Sequence, residues 1–201
     1  MTELNTRNYV LVVDKSGSMA DPVGRSKPVS RWDAMKEYLS VIVRKCCELD
    51  DDGIDVYFFG TKFSKFENVT VDVVDGLFNK VSPMGGTDFV PVLTDVFNKH
   101  FSGDKPTTVL VVTDGQPSDG VDGQKALAKL LVNTANKIEA DNDLAVQFIQ
   151  IGEDPEASRF LKKLDDELQG AGAKFDIVDT KTCDDLETMS LEEVLLAAIQ
   201  D

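Results

Sequence analysis

Short runs of apolar residues, each bounded by turn-forming residues, recur along the chain. Such runs are typical of strands in a parallel sheet, because helices cover both faces of that sheet. Five strands are predicted in this way: Tyr9–Val13, Ile54–Phe59, Val109–Val112, Val146–Ile151 and Phe175–Val178. A further run, Phe63–Val71, follows the second strand after a gap too short for a crossover. It is therefore predicted to turn back as an antiparallel edge strand.

Between these runs, apolar residues recur every three or four positions, which predicts helices. The helices are expected over Trp32–Cys46, Phe89–Phe101, Leu127–Ile138, Phe160–Leu168 and Leu191–Ile199. Ser30 with Asp33, and Ser190 with Glu193, have the spacing of capping boxes at two helix starts. The alternation predicts an α/β fold, an open and mostly parallel sheet of about six strands with helices on both faces. No repeat or linker interrupts it, so residues 1–201 are predicted to form a single domain.

The composition is that of an ordinary globular protein except for its charge. The chain has 36 Asp and Glu against 21 Lys and Arg, a formal net charge of −15. This charge repels phosphate backbones and anionic lipids, so neither nucleic acid nor a membrane is an expected partner. The first residues lack the features of a signal peptide, and no segment approaches the ~20 apolar residues of a membrane span. A soluble, cytoplasmic protein with free cysteines is predicted.

Oxygen-bearing side chains follow two of the predicted buried strands. Asp14, Ser16 and Ser18 come after the first strand at a spacing of two, which points them to one side of an extended chain. Asp114 follows the strand that ends at Val112, and Thr87 lies in a glycine-rich loop between them. Functional loops lie at the carboxyl ends of strands in such sheets, so these side chains are expected to converge.

Oxygen ligands select hard cations. A small set of short side chains suits Mg²⁺ or Mn²⁺, with water in the remaining positions, whereas Ca²⁺ prefers more ligands and is less expected. Only two of the five candidate ligands are carboxylates. A dication held there would keep uncompensated charge and an open position, which a carboxylate from a partner could fill.

The constellation resembles the von Willebrand factor A (VWA) family. The metal-ion-dependent adhesion site (MIDAS) of that family has the pattern D-x-S-x-S, then T, then D, which matches Asp14, Ser16, Ser18, Thr87 and Asp114. The resemblance implies a Rossmann-like sheet with the metal at its edge, serines as direct ligands, and the threonine and aspartates as direct or water-mediated ligands.

The resemblance also implies a role. It suggests a divalent-metal-dependent module that binds an Asp or Glu of a protein partner, with no small-molecule substrate. Because no signal peptide, disulfide framework or further domain is visible, the chain looks more like the free-standing intracellular members, whose roles run to assembly and scaffolding.

Structural explanations of the same residues stay open at this point. The D-x-S-x-S segment could be a turn whose side chains cap their own backbone. Thr87 or Asp88 could cap the next helix, and Asp114 could belong to a plain turn. An interaction module without a metal is therefore an alternative.

Four further residues are predicted to border the metal face and to influence partner choice. Asp119 and Asp122 come shortly after Asp114, and Arg25 and Lys27 follow the first motif. Their ordinary interpretation is a pair of solvated surface loops.

Enzymatic functions are alternatives, but each lacks a residue or motif that its chemistry requires. The main alternative is a metal-dependent phosphohydrolase with Asp14 as its nucleophile. Such an enzyme usually has a second acid two residues later, whereas position 16 is Ser. A serine hydrolase needs a base, and the only histidine, His100, is predicted at a solvent-exposed helix end. The glycine-rich nucleotide-binding motifs are absent from the sequence. A protein without enzymatic activity is predicted.

Overall fold

A computed structural model describes residues 3–23, 29–50 and 52–200. The strands in these ranges are β1 (Asn8–Asp14), β2 (Pro22–Val23), β3 (Val29–Ser30), β4 (Ile54–Phe59), β5 (Phe63–Val69), β6 (Thr107–Thr113), β7 (Leu144–Gln150) and β8 (Val178–Thr182). The α-helices are α1 (Arg31–Leu49), α2 (Val71–Phe78), α3 (Phe89–Ser102), α4 (Gly120–Ala135), α5 (Pro155–Glu167), α6 (Cys183–Thr188) and α7 (Leu191–Gln200). Short 3₁₀ turns lie at Glu3–Thr6, Gly17–Ala20 and Asp141–Asp143.

Six strands form one sheet in the order β5-β4-β1-β6-β7-β8, and β2 and β3 form a separate small ribbon. All neighbours in the large sheet are parallel except β4 and β5. The predicted Rossmann-like α/β fold with one antiparallel edge strand is therefore confirmed. In the sheet, β4 lies on one side of β1 and β6 lies on the other. The strand order therefore reverses between β1 and β6, and the carboxyl ends of these two strands flank that point.

The core has two layers, one on each face of the sheet. Successive residues of a strand point to opposite faces, so Val12 packs with α3, α4 and α5, whereas Val13 packs with α1, α2 and α7. On the second face, the ring of Phe58 lies 6.1 Å from that of Trp32 and 5.2 Å from that of Phe78. Cys46 is buried in this layer, as its place on the predicted helix face indicated.

Local signals predicted the helix starts well. The Ser30 hydroxyl accepts a hydrogen bond from the Asp33 N–H at 3.0 Å, and the Ser190 N–H donates to the Glu193 carboxylate at 2.7 Å. Both capping interactions were predicted. Satisfying these otherwise unpaired groups stabilises the first turns of α1 and α7.

Three predictions of secondary structure were wrong. The strand predicted at Phe175–Val178 begins only at Val178, because the apolar character of Phe175 and Ile177 reflects core packing rather than strand pairing. The edge strand predicted to reach Val71 ends at Val69, where α2 follows almost at once. Ile138 lies beyond the end of α4, although it is buried. The short helices α2 and α6 were not predicted, since six to eight residues barely show a helical period.

Within the described ranges, no helix combines the length and the apolar character needed to cross a lipid bilayer.

Candidate metal centre

Three loops meet at the carboxyl ends of β1 and β6. The Gly17 N–H donates to the Gly85 carbonyl at 2.9 Å, which joins the loop after β1 to the glycine-rich loop before α3. The Ser118 N–H donates to the Thr87 carbonyl at 3.0 Å, and the Thr87 N–H donates to the Ser118 hydroxyl at 2.7 Å. These bonds join the glycine-rich loop to the loop after β6. The three segments singled out by the sequence are therefore one surface feature.

The Asp14 carboxylate is buried at the base of this feature. Its Oδ1 accepts from the Ser16 N–H at 2.7 Å, and its Oδ2 accepts from the Thr113 hydroxyl at 2.6 Å. The pKa of Asp14 is raised to about 6, mainly by burial and to a smaller extent by the nearby charge of Asp114, while the Thr113 and Ser16 hydrogen bonds oppose the rise. An ionised Asp14 would gain from a cation placed beside it.

A chain of side-chain contacts connects the serines to the second carboxylate. The hydroxyls of Ser16 and Ser18 lie 3.1 Å apart, and the Ser18 hydroxyl donates to Asp114 Oδ1 at 3.0 Å. Ser16 and Asp114 are buried, whereas Ser18 is partly open to solvent. Four of the five predicted ligands therefore form one hydrogen-bonded cluster, and Thr87 joins the same rim through its loop.

One residue at the site was missed by the sequence interpretation. The guanidinium of Arg31, the first residue of α1, donates from Nη1 to Asp114 Oδ2 at 2.6 Å. The same nitrogen lies 3.4 Å from the Ser18 carbonyl. The only signal in the sequence was a cationic residue directly after the capping Ser30. Nothing local indicated that it reaches across to the end of β6.

Of the four residues predicted to border the metal face, the structure describes two. Asp119 and Asp122 are exposed and line, together with Thr87, a cleft of about 240 Å³. They therefore border the glycine-rich loop, and their influence on a partner stays a prediction. Arg25 and Lys27 lie outside the described residues.

His100 lies at the opposite end of the sheet and is half-buried. Its Nδ1 is 3.0 Å from the hydroxyl of Thr107, the first residue of β6, and burial lowers its pKa. The prediction of a solvent-exposed His100 was wrong, because the end of α3 packs over the start of this strand. Asp114 follows the other end of β6, so His100 is not placed to act as a base for Ser16 or Ser18.

The donor set fits a hard divalent cation. In residues 3–23, 29–50 and 52–200, no group of three or more His, Cys, Asp or Glu side chains could hold a metal ion. The candidate site does not belong to that type, since it combines two carboxylates with three hydroxyls. Oxygen-only sets of this kind, completed by water, suit Mg²⁺ or Mn²⁺ better than Zn²⁺, which favours nitrogen and sulfur ligands.

Comparison with known proteins gives the family. Residues 6–199 match the family described as "vWA-TerF-like: vWA found in TerF C terminus". The chain therefore belongs to this family of von Willebrand factor A domains.

Individual relatives are distant. A von Willebrand factor A domain-containing protein of Dictyostelium discoideum is 24% identical over 119 residues, which is 55% of this chain and 12% of that protein. The chain thus matches only a small part of that relative. The PilB minor pilin from Streptococcus sanguinis has a TM-score of 0.61 at 16% identity, covering 98% of this chain and 60% of that one. Proximal thread matrix protein 1 from the mussel byssus, solved with a zinc-occupied MIDAS motif, has a TM-score of 0.53 at 18% identity, covering 96% and 46%. At these identities the solved structures show the shared fold.

The glycine-rich loop has little room for a side chain, which allows a specific test. A Cβ on Gly86 would lie 2.7 Å from the Ser118 hydroxyl, which accepts from the Thr87 N–H. Gly86→Ala is expected to displace Thr87 and to reduce the rise in melting temperature caused by millimolar Mg²⁺. Gly115→Ala is the matched control, since a Cβ there meets nothing within 4 Å. Thermal unfolding with and without Mg²⁺ measures both. An equal response in the two variants would contradict a role for the Thr87 loop.

Proposed function

We propose that this domain is a divalent-metal-dependent protein-binding module. Asp14, Ser16, Ser18, Thr87 and Asp114 hold one Mg²⁺ or Mn²⁺, and an Asp or Glu of a partner protein completes the coordination. The observation that carries the proposal is the joined Asp14–Ser16–Ser18–Asp114 cluster, with both carboxylates buried, at the point where the strand order reverses.

Each residue has a chemical role in this proposal. The hydroxyls of Ser16, Ser18 and Thr87 are neutral oxygen ligands, while Asp14 and Asp114 bind directly or through water. Arg31 already offsets part of the charge of Asp114. A dication here is therefore incompletely neutralised, and a partner carboxylate is a strongly attracted ligand. The zinc-occupied MIDAS of the mussel relative supports a divalent ion at this position of the fold.

A binding role without enzymatic activity agrees better with these side chains than catalysis does. Position 16 is Ser, so Asp14 has no second acid two residues later, and His100 lies at the far end of the sheet. The domain is proposed to act in assembly or scaffolding inside the cell, through a protein partner.

The metal is tested first. Wild type is expected to bind Mn²⁺ or Mg²⁺ in isothermal titration calorimetry. A metal concentration of about 100 times Kd is expected to stabilise the domain by about 2.7 kcal/mol. Ser16→Ala combined with Ser18→Ala is expected to lose both effects, because it removes two ligands. Ser102→Ala, which changes an exposed serine at the end of α3, is the control and should behave as wild type. A wild-type domain that shows no binding at millimolar Mg²⁺ and Mn²⁺ would overturn the proposal.

The partner is tested by capture from a native lysate in parallel arms. Wild type with Mg²⁺ is compared with wild type plus chelator and with the double serine variant plus Mg²⁺. The expected partner is retained only in the first arm and is released when one of its Asp or Glu residues is changed to the amide. A partner that is retained equally with and without chelator would support an interaction that needs no metal.

The enzymatic alternative has its own readout. A generic phosphomonoester is incubated with the domain and Mg²⁺, and no turnover is expected. Turnover that disappears in Asp14→Asn would favour a metal-dependent phosphohydrolase.

A further inference from the structure

The Arg31 side chain is held in a fixed position beside the candidate metal centre. Its backbone N–H donates to the Asp21 carbonyl at 2.9 Å, and Arg31 begins α1 directly after the capping Ser30. A Cβ on Gly152 would lie 3.2 Å from Arg31 Nε, so the guanidinium passes closely over a residue that has no side chain. Its side chain is only 20% exposed. The cation is therefore positioned by the fold and is not a mobile surface group.

The two oxygens of Asp114 are divided between two partners. Oδ1 accepts from the Ser18 hydroxyl at 3.0 Å, on the side of the predicted ligands, and Oδ2 accepts from Arg31 at 2.6 Å. The side chain of Asp114 is fully buried, so this ion pair is poorly screened by solvent. A metal ion near Oδ1 would share this carboxylate with a cation that is already in place.

From this geometry we infer that Arg31 is a built-in counter-cation that neutralises Asp114 and thereby lowers the affinity of the centre for a divalent metal. The inference rests on the proposed function and adds a residue that sets its strength. The positive charge of Arg31 repels a dication and so weakens its binding. Because Arg31 already neutralises Asp114, a bound ion would also keep more uncompensated charge, which attracts a partner carboxylate. The charge of Arg31 also gives the buried Asp114 carboxylate a cation beside it, which offsets the cost of burying an ionised group.

The test is the dissociation constant for Mn²⁺ alone, measured by titration calorimetry at constant pH and ionic strength. Arg31→Gln is expected to bind Mn²⁺ about three- to tenfold more tightly, since it removes a positive charge that is held 2.6 Å from a proposed ligand, Asp114. Arg31→Lys, which keeps the charge, should stay within about twofold of wild type. Arg44→Gln is the matched control, because it changes the same charge at an exposed position thirteen residues further along α1, about 20 Å away.

A second readout needs no metal. In chelator, Arg31→Gln is expected to melt below wild type, because Asp114 loses its cation. Added Mn²⁺ should then raise its melting temperature more than that of wild type. An equal or weaker affinity of Arg31→Gln for Mn²⁺ would overturn the inference and leave Arg31 as a residue that only positions Asp114.

If Arg31→Gln does not fold, Asp114→Asn is compared with the double variant Arg31→Gln/Asp114→Asn. Neither of these buries an unpaired carboxylate at position 114. The double variant is expected to bind Mn²⁺ more tightly than Asp114→Asn by the same three- to tenfold factor, about 0.7–1.4 kcal/mol. No difference between them would overturn the inference. A wild type that binds no Mn²⁺ would instead overturn the proposed function itself.

Discussion

Asp14→Asn is expected to make the metal-free domain more stable at pH 7.5 and to abolish its stabilisation by Mg²⁺. Burial raises the pKa of Asp14 from 3.8 to about 6, so ionising this carboxyl costs more in the folded chain than in the unfolded one. At about 1.4 kcal/mol per pH unit, a shift of this size corresponds to about 3 kcal/mol.

The pH dependence follows from the direction of the shift. A carboxyl whose pKa is raised on folding contributes its full stability below pH 3.8, where it is protonated in both states. That contribution to the stability is lost as the pH rises from 3.8 to about 6. Above about pH 6 the carboxyl is ionised in both states, so its effect on the free energy of unfolding no longer changes. Asn cannot ionise, so wild type and variant are expected to be similar near pH 4 and to diverge by roughly 3 kcal/mol at neutral pH.

The hydrogen bonds of Asp14 can be kept by the amide. The Asn oxygen can accept from the Ser16 N–H, and its NH₂ can donate to the Thr113 hydroxyl, which can turn toward the Gly115 carbonyl 3.3 Å away. Denaturant unfolding across pH in chelator measures the first effect, and Mg²⁺ titration measures the second. Asp104→Asn is the control, because Asp104 is exposed and lies just before β6, at the end of that strand opposite Asp114. Retention of the full Mg²⁺ response in Asp14→Asn would contradict Asp14 as a ligand.

Phe89→Ala is expected to destabilise the domain by about 3–5 kcal/mol, the usual cost of removing a buried aromatic ring. Phe89 is 1% exposed, and its ring centroid lies 5.0 Å from that of Phe59 and 6.2 Å from that of Phe148. It is also the first residue of α3, two positions after Thr87. The cavity is therefore expected to loosen the glycine-rich loop and to reduce metal binding as well.

The same helix contains the control for this change. Phe101 is 40% exposed, so Phe101→Ala should cost much less and leave metal binding unchanged. Chemical denaturation gives the free energies of unfolding, and Mn²⁺ titration gives the affinity. An equal loss of stability in both variants would contradict the expectation that the packing of Phe89, between the sheet and the glycine-rich loop, holds α3 in place.

Much of the fold follows from local patterns. The interior strands β1, β4, β6 and β7 are apolar enough to be recognised without neighbours, and β4 was predicted with the observed bounds. Strand β8 was misplaced because it is an edge strand of mixed polarity, in which Lys181 and two threonines follow Val178. Its pairing with β7 is a long-range property that no local pattern contains.

The sequence by itself determined that Asp14, Ser16 and Ser18 follow one buried strand and that Asp114 follows another, because apolar runs mark where such strands end. The expected extended chain stops at Asp14, however, and Ser18 reaches Asp114 from the 3₁₀ turn Gly17–Ala20. The sequence also determined the composition of the donor set. Only the tertiary structure decided that Arg31 reaches Asp114 and that His100 lies at the far end of the sheet. Contacts between residues distant in sequence, 83 positions apart for Arg31 and Asp114, arise from the packing of helices on the sheet, which local propensity does not encode.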